Sequence, residues 1–246
     1  MADTAHAATG HDQDRVREVP RAGVHGEIAR VLYCAESVLD VGPGINPQWY
    51  FKPRTHVCVE AHPPYVAQLQ ASHGHDPRFL FLCGRWQDIL PRFPDASIDT
   101  ATAIDVIEHL EREDGFALLA ELMRIVRHQI VISTPLGFYP QHYEPDERDR
   151  WGMDGGHWQT HRSGWTPDDM LALDPRWRAV VSPDYHNVDQ HDQPLAEPWP
   201  AFWGIFTKAV PSHARTLHEE RQRGGRLGRF PAPIRDTIRA VRRLLS

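Results

Sequence analysis

Cysteine and long apolar runs are both scarce in this 246-residue sequence. Its three cysteines, Cys34, Cys58 and Cys83, lie 24 and 25 residues apart in apolar segments. That spacing fits neither a zinc clip nor a disulfide framework, so we expect reduced core thiols in a cytoplasmic protein. No apolar run reaches the roughly 18 residues that a transmembrane helix needs. The polar residues 1–20 lack the apolar core of a secretion signal, and we expect a flexible leader there.

Positive charge is scarce in most of the chain and concentrated at its C-terminus. Residues 212–246 hold nine arginines against three acidic residues, a net charge of +6, whereas the whole chain carries −6. The remaining body therefore carries −12, which argues against a nucleic-acid groove on it. Residues 221–230 are typical of a linker, and Ile234, Ile238, Val241 and Leu245 share one face of a predicted helix. This basic helix suits docking on the acidic body or dimerisation; peripheral contact with the inner face of an anionic membrane is the alternative.

Short β-branched runs alternate with helical patterns after the leader. Strands are predicted at 38–41, 56–60, 78–84, 98–105, 129–134, 177–182 and 201–208, and helices at 23–36, 63–72, 113–126 and from Thr166 onward. This alternation predicts an α/β fold with a doubly wound, mainly parallel, Rossmann-like sheet covered by helices on both faces. We expect one domain over residues 21–211, followed by a basic linker and an amphipathic helix over 212–246.

The stretch VLDVGPGINP, residues 38–47, is a buried strand that runs into a turn with only two glycines. Gly42 and Gly44 permit positive φ angles and let backbone amides approach a ligand at the carboxyl end of the strand. A dinucleotide site requires a third glycine so that a helix can aim its N-terminus at the pyrophosphate, but here Pro47 follows. The turn therefore predicts a nucleotide-type ligand other than a dinucleotide.

Two carboxylates further restrict the chemical class of the ligand. Asp40 precedes the glycines, where it would repel pyrophosphate but suits a cationic ligand that bears an α-amino group. Glu60 ends the second strand, where a carboxylate can accept both hydroxyls of a ribose. The pattern favours a positively charged adenosine compound over an anionic one.

These residues belong to a recognisable combination of motifs. VLDVGPG, VCVE and DASIDTATAIDVIEHLEREDGFALLAEL resemble the class I S-adenosylmethionine-dependent methyltransferases over roughly residues 38–134. The resemblance implies S-adenosylmethionine as the cofactor, with its methionine part against Gly42 and Gly44. It further implies that Asp40 holds the amino group, that Glu60 binds the ribose, and that Asp105 faces both the methyl group and the substrate.

The sequence departs from the family pattern in two places. Asn46 stands where the family usually has glycine, and Asn46-Pro47 predicts the start of a short or distorted helix. Arg85 stands where an acid often binds the adenine amino group. We therefore predict that Trp86 stacks on adenine and that Asp88 replaces the missing acid.

Residues 137–165 lack periodicity, and a loop of this length in a compact domain is usually functional, so we predict a substrate lid. With TPLGFYPQ, the segment WGMDGGHWQTHRSGW resembles a subgroup associated with glycan or secondary-metabolite biosynthesis. His161 and His157 are the predicted bases for a hydroxyl acceptor, and Asp105 is their competitor. The predicted substrate contacts are Trp151, Trp158, Arg162 and Trp165, although tryptophans also anchor long loops to a domain.

Structural roles are the alternative for the other polar residues. An acid at a helix start is often a dipole partner, which applies to Asp105 and Glu108, and His109 is interpreted as a structural histidine. His157 and His161 have the spacing of a helical metal pair, but the neighbouring glycines argue against a helix, and no metal is predicted.

The sequence thus predicts methyl transfer from S-adenosylmethionine to a small polar acceptor, most readily a hydroxyl of a sugar, glycan precursor or secondary metabolite. Two alternatives stay open. The first is an NAD(P)-dependent oxidoreductase, which Asp40 and Pro47 disfavour. The second is a non-catalytic protein that binds an adenosine ligand and is recruited through its basic tail.

Overall fold

The computed structural model describes residues 15–212 and 214–223, and eight strands form one sheet in the order β1-β7-β8-β6-β5-β2-β3-β4. The strands are β1 (Val16–Glu18), β2 (Ser37–Val41), β3 (Thr55–Glu60), β4 (Phe79–Cys83), β5 (Ile98–Ile104), β6 (Val126–Pro135), β7 (Trp177–Val188) and β8 (Pro194–Thr207). The helices are α1 (Arg21–Val31), α2 (Pro63–His73), α3 (Trp86–Ile89), α4 (Arg112–Ile125), α5 (Gly156–Gln159), α6 (Pro167–Leu173) and α7 (Leu217–Gln222). Short 3-10 turns cover Leu90–Arg92 and Ile107–His109.

The sheet is parallel except at β8, which runs antiparallel to β6 and β7. Strand β2 lies between β5 and β3, with Asp40 opposite Thr102 on one side and Cys58 on the other. All residues of β2 and β3 are buried, as expected for central parallel strands covered on both faces. This register brings the carboxyl ends of β2, β3 and β5 to one edge, where a ligand binds in such sheets. The predicted mainly parallel, Rossmann-like sheet is confirmed.

Two apolar layers hold the sheet, one on each face. Successive side chains of a strand point to opposite faces, and β2 shows this: Val38 packs with α1 in one layer, while Leu39 packs with α4 in the other. Helix α4 presents Leu118 and Leu122 to its layer, both fully buried. The amphipathic period that predicted this helix therefore reflects a real buried face.

The structure corrects three boundaries of the sequence analysis. Val16–Glu18, assigned to the leader, form β1 and pair in parallel with the edge of β7. No helix begins at Asn46, because the buried carboxylate of Asp40 accepts the backbone N–H of Gln48 at 2.8 Å and holds this segment as a loop. Strands β7 and β8 are also longer than predicted, and this lengthening carries His186 towards the ligand edge.

The tail is described only as far as residue 223. Within that part, α7 begins with a capping box in which Thr216 and Glu219 bond reciprocally. Leu217 is buried against the α1 layer, and its N–H donates to the Leu32 carbonyl at 2.8 Å. The predicted basic helix over 234–245 lies outside the described residues. In the described part of the chain, no helix is long and apolar enough to cross a membrane.

Candidate active site

A cavity of about 520 Å³ opens at the carboxyl ends of β2, β3 and β5, a volume typical of small-molecule sites. Most of the residues singled out in the sequence line it. They are Asp40, Gly42, Gly44, Glu60, Trp86, Asp105, Trp151, His157, Trp158, His161 and Arg162. Asp88 and Trp165 do not belong to the lining. The fold therefore assembles residues from the glycine turn, three strand ends and the lid around one space.

The glycine turn is shaped as the sequence predicts. Gly42 and Gly44 have φ angles of +64° and +59°, the left-handed region that favours glycine. A Cβ atom on Gly42 would lie 2.9 Å from Val106 Cγ2, and one on Gly44 would lie 2.8 Å from Trp151 Cη2. Both positions therefore need glycine for their backbone angle and for the close approach of neighbouring side chains.

Asp40 is buried beneath this turn and holds it in place. Its Oδ1 accepts the Thr102 hydroxyl at 2.8 Å, and its Oδ2 accepts the Gln48 N–H at 2.8 Å. His56 Nε2 also lies 3.2 Å from Oδ2. Both carboxylate oxygens are thus engaged by the protein. The observed role of Asp40 is to position the turn, and its contact with a ligand amino group stays a prediction.

Glu60 combines burial with free hydrogen-bonding capacity. Its Oε2 accepts the Gly44 N–H at 3.0 Å, and its Oε1 accepts the His62 N–H at 2.9 Å. Each carboxylate oxygen offers a second acceptor direction, so two further donors can bind. Burial raises the pKa of Glu60 to about 7, since the backbone donors offset only part of the desolvation of the anion. A ligand with two adjacent hydroxyls would favour the ionised form.

The two residues predicted to contact adenine differ in their positions relative to the cavity. Trp86 begins α3, lines the cavity and leaves its indole N–H without a protein partner. Asp88 lies on the same short helix but is exposed and outside the lining, so its assignment as a replacement acid is wrong. The guanidinium of Arg85 lies over the ring of Trp158 at 5.9 Å from the centroid, which joins this side to the lid.

The lid is fastened over the glycine turn by the first residues of α2. Tyr65 donates its hydroxyl to Asp149 at 2.5 Å, and His62 Nε2 lies 3.0 Å from Asp154 Oδ1. The rings of Tyr65 and Trp151 meet edge to face at 5.1 Å between centroids. The indole of Trp151 covers Gly44 directly, so this part of the lid lies against the predicted cofactor site.

Two predicted substrate contacts have structural roles instead. Trp165 is fully buried, donates its indole N–H to the Ile107 carbonyl at 3.1 Å, and packs under Gly115 of α4. Its assignment as a substrate contact is therefore wrong, and it anchors the C-terminal end of the lid. Arg162 lines the cavity but directs guanidinium N–H groups to the carbonyls of His109 at 2.9 Å and His157 at 3.0 Å.

The histidines of the lid differ in their environments. His161 is buried, and its Nδ1 lies 2.7 Å from the Tyr139 carbonyl. A carbonyl only accepts, so Nδ1 carries the proton and Nε2 is a bare acceptor. Burial lowers the pKa of His161 to about 4, which leaves the ring neutral at pH 7. His157 is exposed and lies beside the guanidinium of Arg162, with its ring nitrogens 3.5 Å from Arg162 Nη2.

Asp105 has a backbone conformation that is unusual for a residue with a side chain. Its φ angle is +54°, and it is exposed at the cavity directly after β5. The hydroxyl of Ser133 donates to Asp105 Oδ1 at 2.8 Å, and the Asp105 N–H donates to the Ser133 carbonyl at 3.0 Å. Such strained backbone persists where neighbouring structure holds it, and it often marks a functional site.

The sequence analysis missed or undervalued three residues of the cavity. His109 lies at 4.8 Å from His161 between ring centroids, and burial lowers its pKa to about 3. His186 stacks on Tyr139 at 5.9 Å and has an Nε2 without a partner. Glu108 is only 2% exposed. The motif IEH signals Glu108 and His109 together, whereas nothing local to β7 signals His186.

Comparisons with known proteins agree with this architecture. Residues 39–132 match the family model described as a methyltransferase domain. A putative methyltransferase from Bacillus halodurans aligns with a TM-score of 0.51 at 14% identity, over 76% of this chain and 97% of its own. A S-adenosylmethionine-dependent methyltransferase from Archaeoglobus fulgidus aligns at 15% identity with a TM-score of 0.48, over 76% and 92%. No curated protein sequence matches the chain.

A third similar structure was solved with a product of the cofactor. It is phosphoethanolamine N-methyltransferase 1 from Haemonchus contortus, in complex with phosphoethanolamine and S-adenosylhomocysteine, at 13% identity and a TM-score of 0.46 over 80% of this chain and 45% of its own. Identities this low support the fold alone, and the family match carries the assignment. Residues 39–132 therefore match a methyltransferase domain, and the cofactor that this match supports is S-adenosylmethionine.

Proposed function

We propose that the protein transfers the methyl group of S-adenosylmethionine to a hydroxyl of a small polar acceptor, such as a sugar, a glycan precursor or a secondary metabolite. The observation that carries this proposal is the composition of the cavity. Its walls join the glycine turn and Glu60 to a carboxylate, Asp105, and to neutral histidines from the lid and β7. An alcohol acceptor needs groups that orient its oxygen and remove its proton, and these residues supply both.

The glycine turn and Glu60 fit the cofactor in the way the proposal requires. Gly42 and Gly44 give the turn its left-handed backbone, and Glu60 keeps two acceptor directions for ribose hydroxyls. The cofactor, when bound, supplies an electrophilic methyl group on a sulfonium. The lid, fastened through Tyr65, excludes water from the space above the turn, and much of the acceleration comes from positioning the acceptor.

Burial and exposure separate the roles of the candidate catalytic groups. His161 is buried and held by the Tyr139 carbonyl, whereas Asp105 is exposed at the cavity. In our proposal the bare Nε2 of His161 orients the acceptor, while the exposed carboxylate of Asp105 takes the proton as the oxygen attacks the methyl carbon. His157 lies at the exposed rim and contributes to acceptor binding together with Trp158.

Calorimetry provides the first test. We expect micromolar binding of S-adenosylhomocysteine and no binding of NAD, since the turn lacks the third glycine. A transfer assay with labelled S-adenosylmethionine then screens sugars and hydroxylated metabolites against amines of similar size. Transfer to amines but not to alcohols would refute the hydroxyl assignment.

The same measurements test the non-catalytic alternative. Binding of S-adenosylhomocysteine without transfer to any acceptor, combined with sedimentation on anionic vesicles that is lost on deleting residues 224–246, would favour a recruited binding protein. The methyltransferase match already favours methyl transfer over the oxidoreductase alternative.

A further inference from the structure

Three potential metal ligands converge in the cavity. One carboxylate oxygen of Glu108 and one ring nitrogen each of His109 and His161 lie within 4.8 Å of one another. All three residues line the cavity, so ions and small molecules can reach them. Neighbouring ligands of one transition-metal ion lie about 3.3 Å apart when the ligand bonds are near 2.1 Å, so a bound ion would draw these side chains together slightly.

Both rings are already held as metal-binding histidines usually are. Such a histidine donates its second ring N–H to a carbonyl or carboxylate, which fixes the tautomer and aims the other nitrogen at the ion. His161 Nδ1 lies 2.7 Å from the Tyr139 carbonyl, and His109 Nδ1 lies 3.3 Å from the Thr160 carbonyl. The bond to the Tyr139 carbonyl leaves Nε2 of His161 as a bare lone pair.

Glu108 supplies the independent observation. It is 2% exposed, and its Oε2 has no hydrogen-bond partner. A buried carboxylate oxygen that lacks a hydrogen-bond partner is costly. A cation is the partner that this oxygen lacks. The motif IEH therefore places an unsatisfied acid beside a preoriented imidazole.

A second cluster of potential metal ligands differs from the first because its carboxylate already has hydrogen-bond partners. Asp40, His56 and Cys58 also have potential ligand atoms within 4.8 Å of one another. There, however, Asp40 accepts hydrogen bonds from Thr102 and Gln48, and burial raises the pKa of the Cys58 thiol, which keeps it protonated. That cluster has no vacant anionic ligand and serves as an internal control.

We propose that Glu108, His109 and His161 bind a divalent transition-metal ion in the cavity. Mixed nitrogen and oxygen ligands suit Mn²⁺, Fe²⁺, Co²⁺ or Zn²⁺, and three protein ligands leave positions open, as in catalytic rather than structural sites. This proposal departs from the expectation of no metal, which considered His157 as the partner of His161. The structure pairs His161 with His109 instead.

The role of the ion rests on the proposed function. An open position can hold the acceptor hydroxyl and lower its pKa, so that the proton passes to Asp105 while the oxygen attacks the methyl carbon and the carbon–sulfur bond breaks onto sulfur. His161 then orients the acceptor through the ion. Metal binding itself needs neither cofactor nor acceptor, so it can be tested separately.

The test is calorimetric titration of the chelator-treated full chain with Mn²⁺, Co²⁺ and Zn²⁺, without cofactor. We expect one site per chain, and a Co²⁺ visible spectrum of low-symmetry nitrogen and oxygen coordination. Glu108→Gln and His161→Gln should each weaken binding by about tenfold or more. Glu113→Gln, at an exposed acid on α4, and Cys58→Ser, in the satisfied cluster, should leave it unchanged.

Binding of S-adenosylhomocysteine provides the fold check for the Glu108 and His161 variants, because its predicted contacts at Gly42, Gly44 and Glu60 lie on other elements. Absence of a stoichiometric site in the wild type, or equal affinities in wild type and Glu108→Gln, would overturn the proposal. Methyl transfer that persists at full rate after chelation would refute the role of the ion but not its binding. Failure of S-adenosylhomocysteine binding would instead count against the cofactor site.

Discussion

Glu60 offers the sharpest test of the cofactor site. The change is Glu60→Gln, which keeps the size of the side chain but removes its charge. The amide group of glutamine would also place a donor against the N–H of Gly44 or of His62, both of which now donate to the carboxylate. The variant therefore loses the anionic acceptor and gains a donor–donor conflict.

The expected loss follows from two hydrogen bonds to a charged group. Each contributes about 1.5–3 kcal/mol, so replacing both ribose contacts costs about 3 kcal/mol after the amide oxygen retains part of one. That corresponds to about a hundredfold weaker binding of S-adenosylhomocysteine. Isothermal titration calorimetry measures it directly, and Glu113→Gln provides a control with the same substitution at an exposed site.

The pH dependence of S-adenosylhomocysteine binding provides a second test of Glu60. The pKa of Glu60 is raised to about 7, and ribose hydroxyls favour the carboxylate, so the wild-type affinity should rise as the pH increases through 7. Linkage predicts about a tenfold gain between pH 6 and pH 8. Glu60→Gln should abolish this gain. A wild-type affinity that is flat over this range, with an unchanged Glu60→Gln variant, would refute the ribose assignment.

Three further predictions concern other parts of the site. His161→Ala should lower kcat by at least about a hundredfold with little change in the Kd of S-adenosylhomocysteine; equal loss in both would indicate a folding defect. Trp165→Ala should lower the free energy of unfolding by about 3–5 kcal/mol in urea titrations, whereas Trp49→Ala, at a side chain that is 56% exposed, should change it by about 0.5 kcal/mol. Gly44→Ala should weaken cofactor binding by about tenfold, since its φ is +59° and the new Cβ would lie 2.8 Å from Trp151 Cη2; unaltered affinity would contradict this reasoning.

The fold was largely predictable because its signals are local. Alternating apolar strands and the amphipathic period of α4 (Arg112–Ile125) reflect burial on two faces of a sheet, and the glycine turn reflects backbone angles that few residues adopt. The helix expected at Asn46 failed because the buried carboxylate of Asp40 competes for the same backbone. A buried carboxylate at the end of the preceding strand overrode the local helical preference of that segment.

The lid shows that local sequence patterns cannot assign a role to every side chain. The aromatic residues from 151 to 165 look alike in sequence, yet Trp151 covers Gly44, whereas Trp165 is buried under α4. Composition cannot separate a ligand contact from an anchor, since both need a large apolar side chain. Only the path of the loop over the sheet decides which tryptophan faces the cavity.

The sequence by itself determined the sheet, the glycine turn and the kind of ligand that Asp40 and Glu60 suit, because each depends on neighbours along the chain. The tertiary structure alone decided which histidines meet. His109 follows β5 and His161 ends the lid, while His186 lies on the extended part of β7. Their convergence arises from strand order and loop path, and these depend on packing between distant segments.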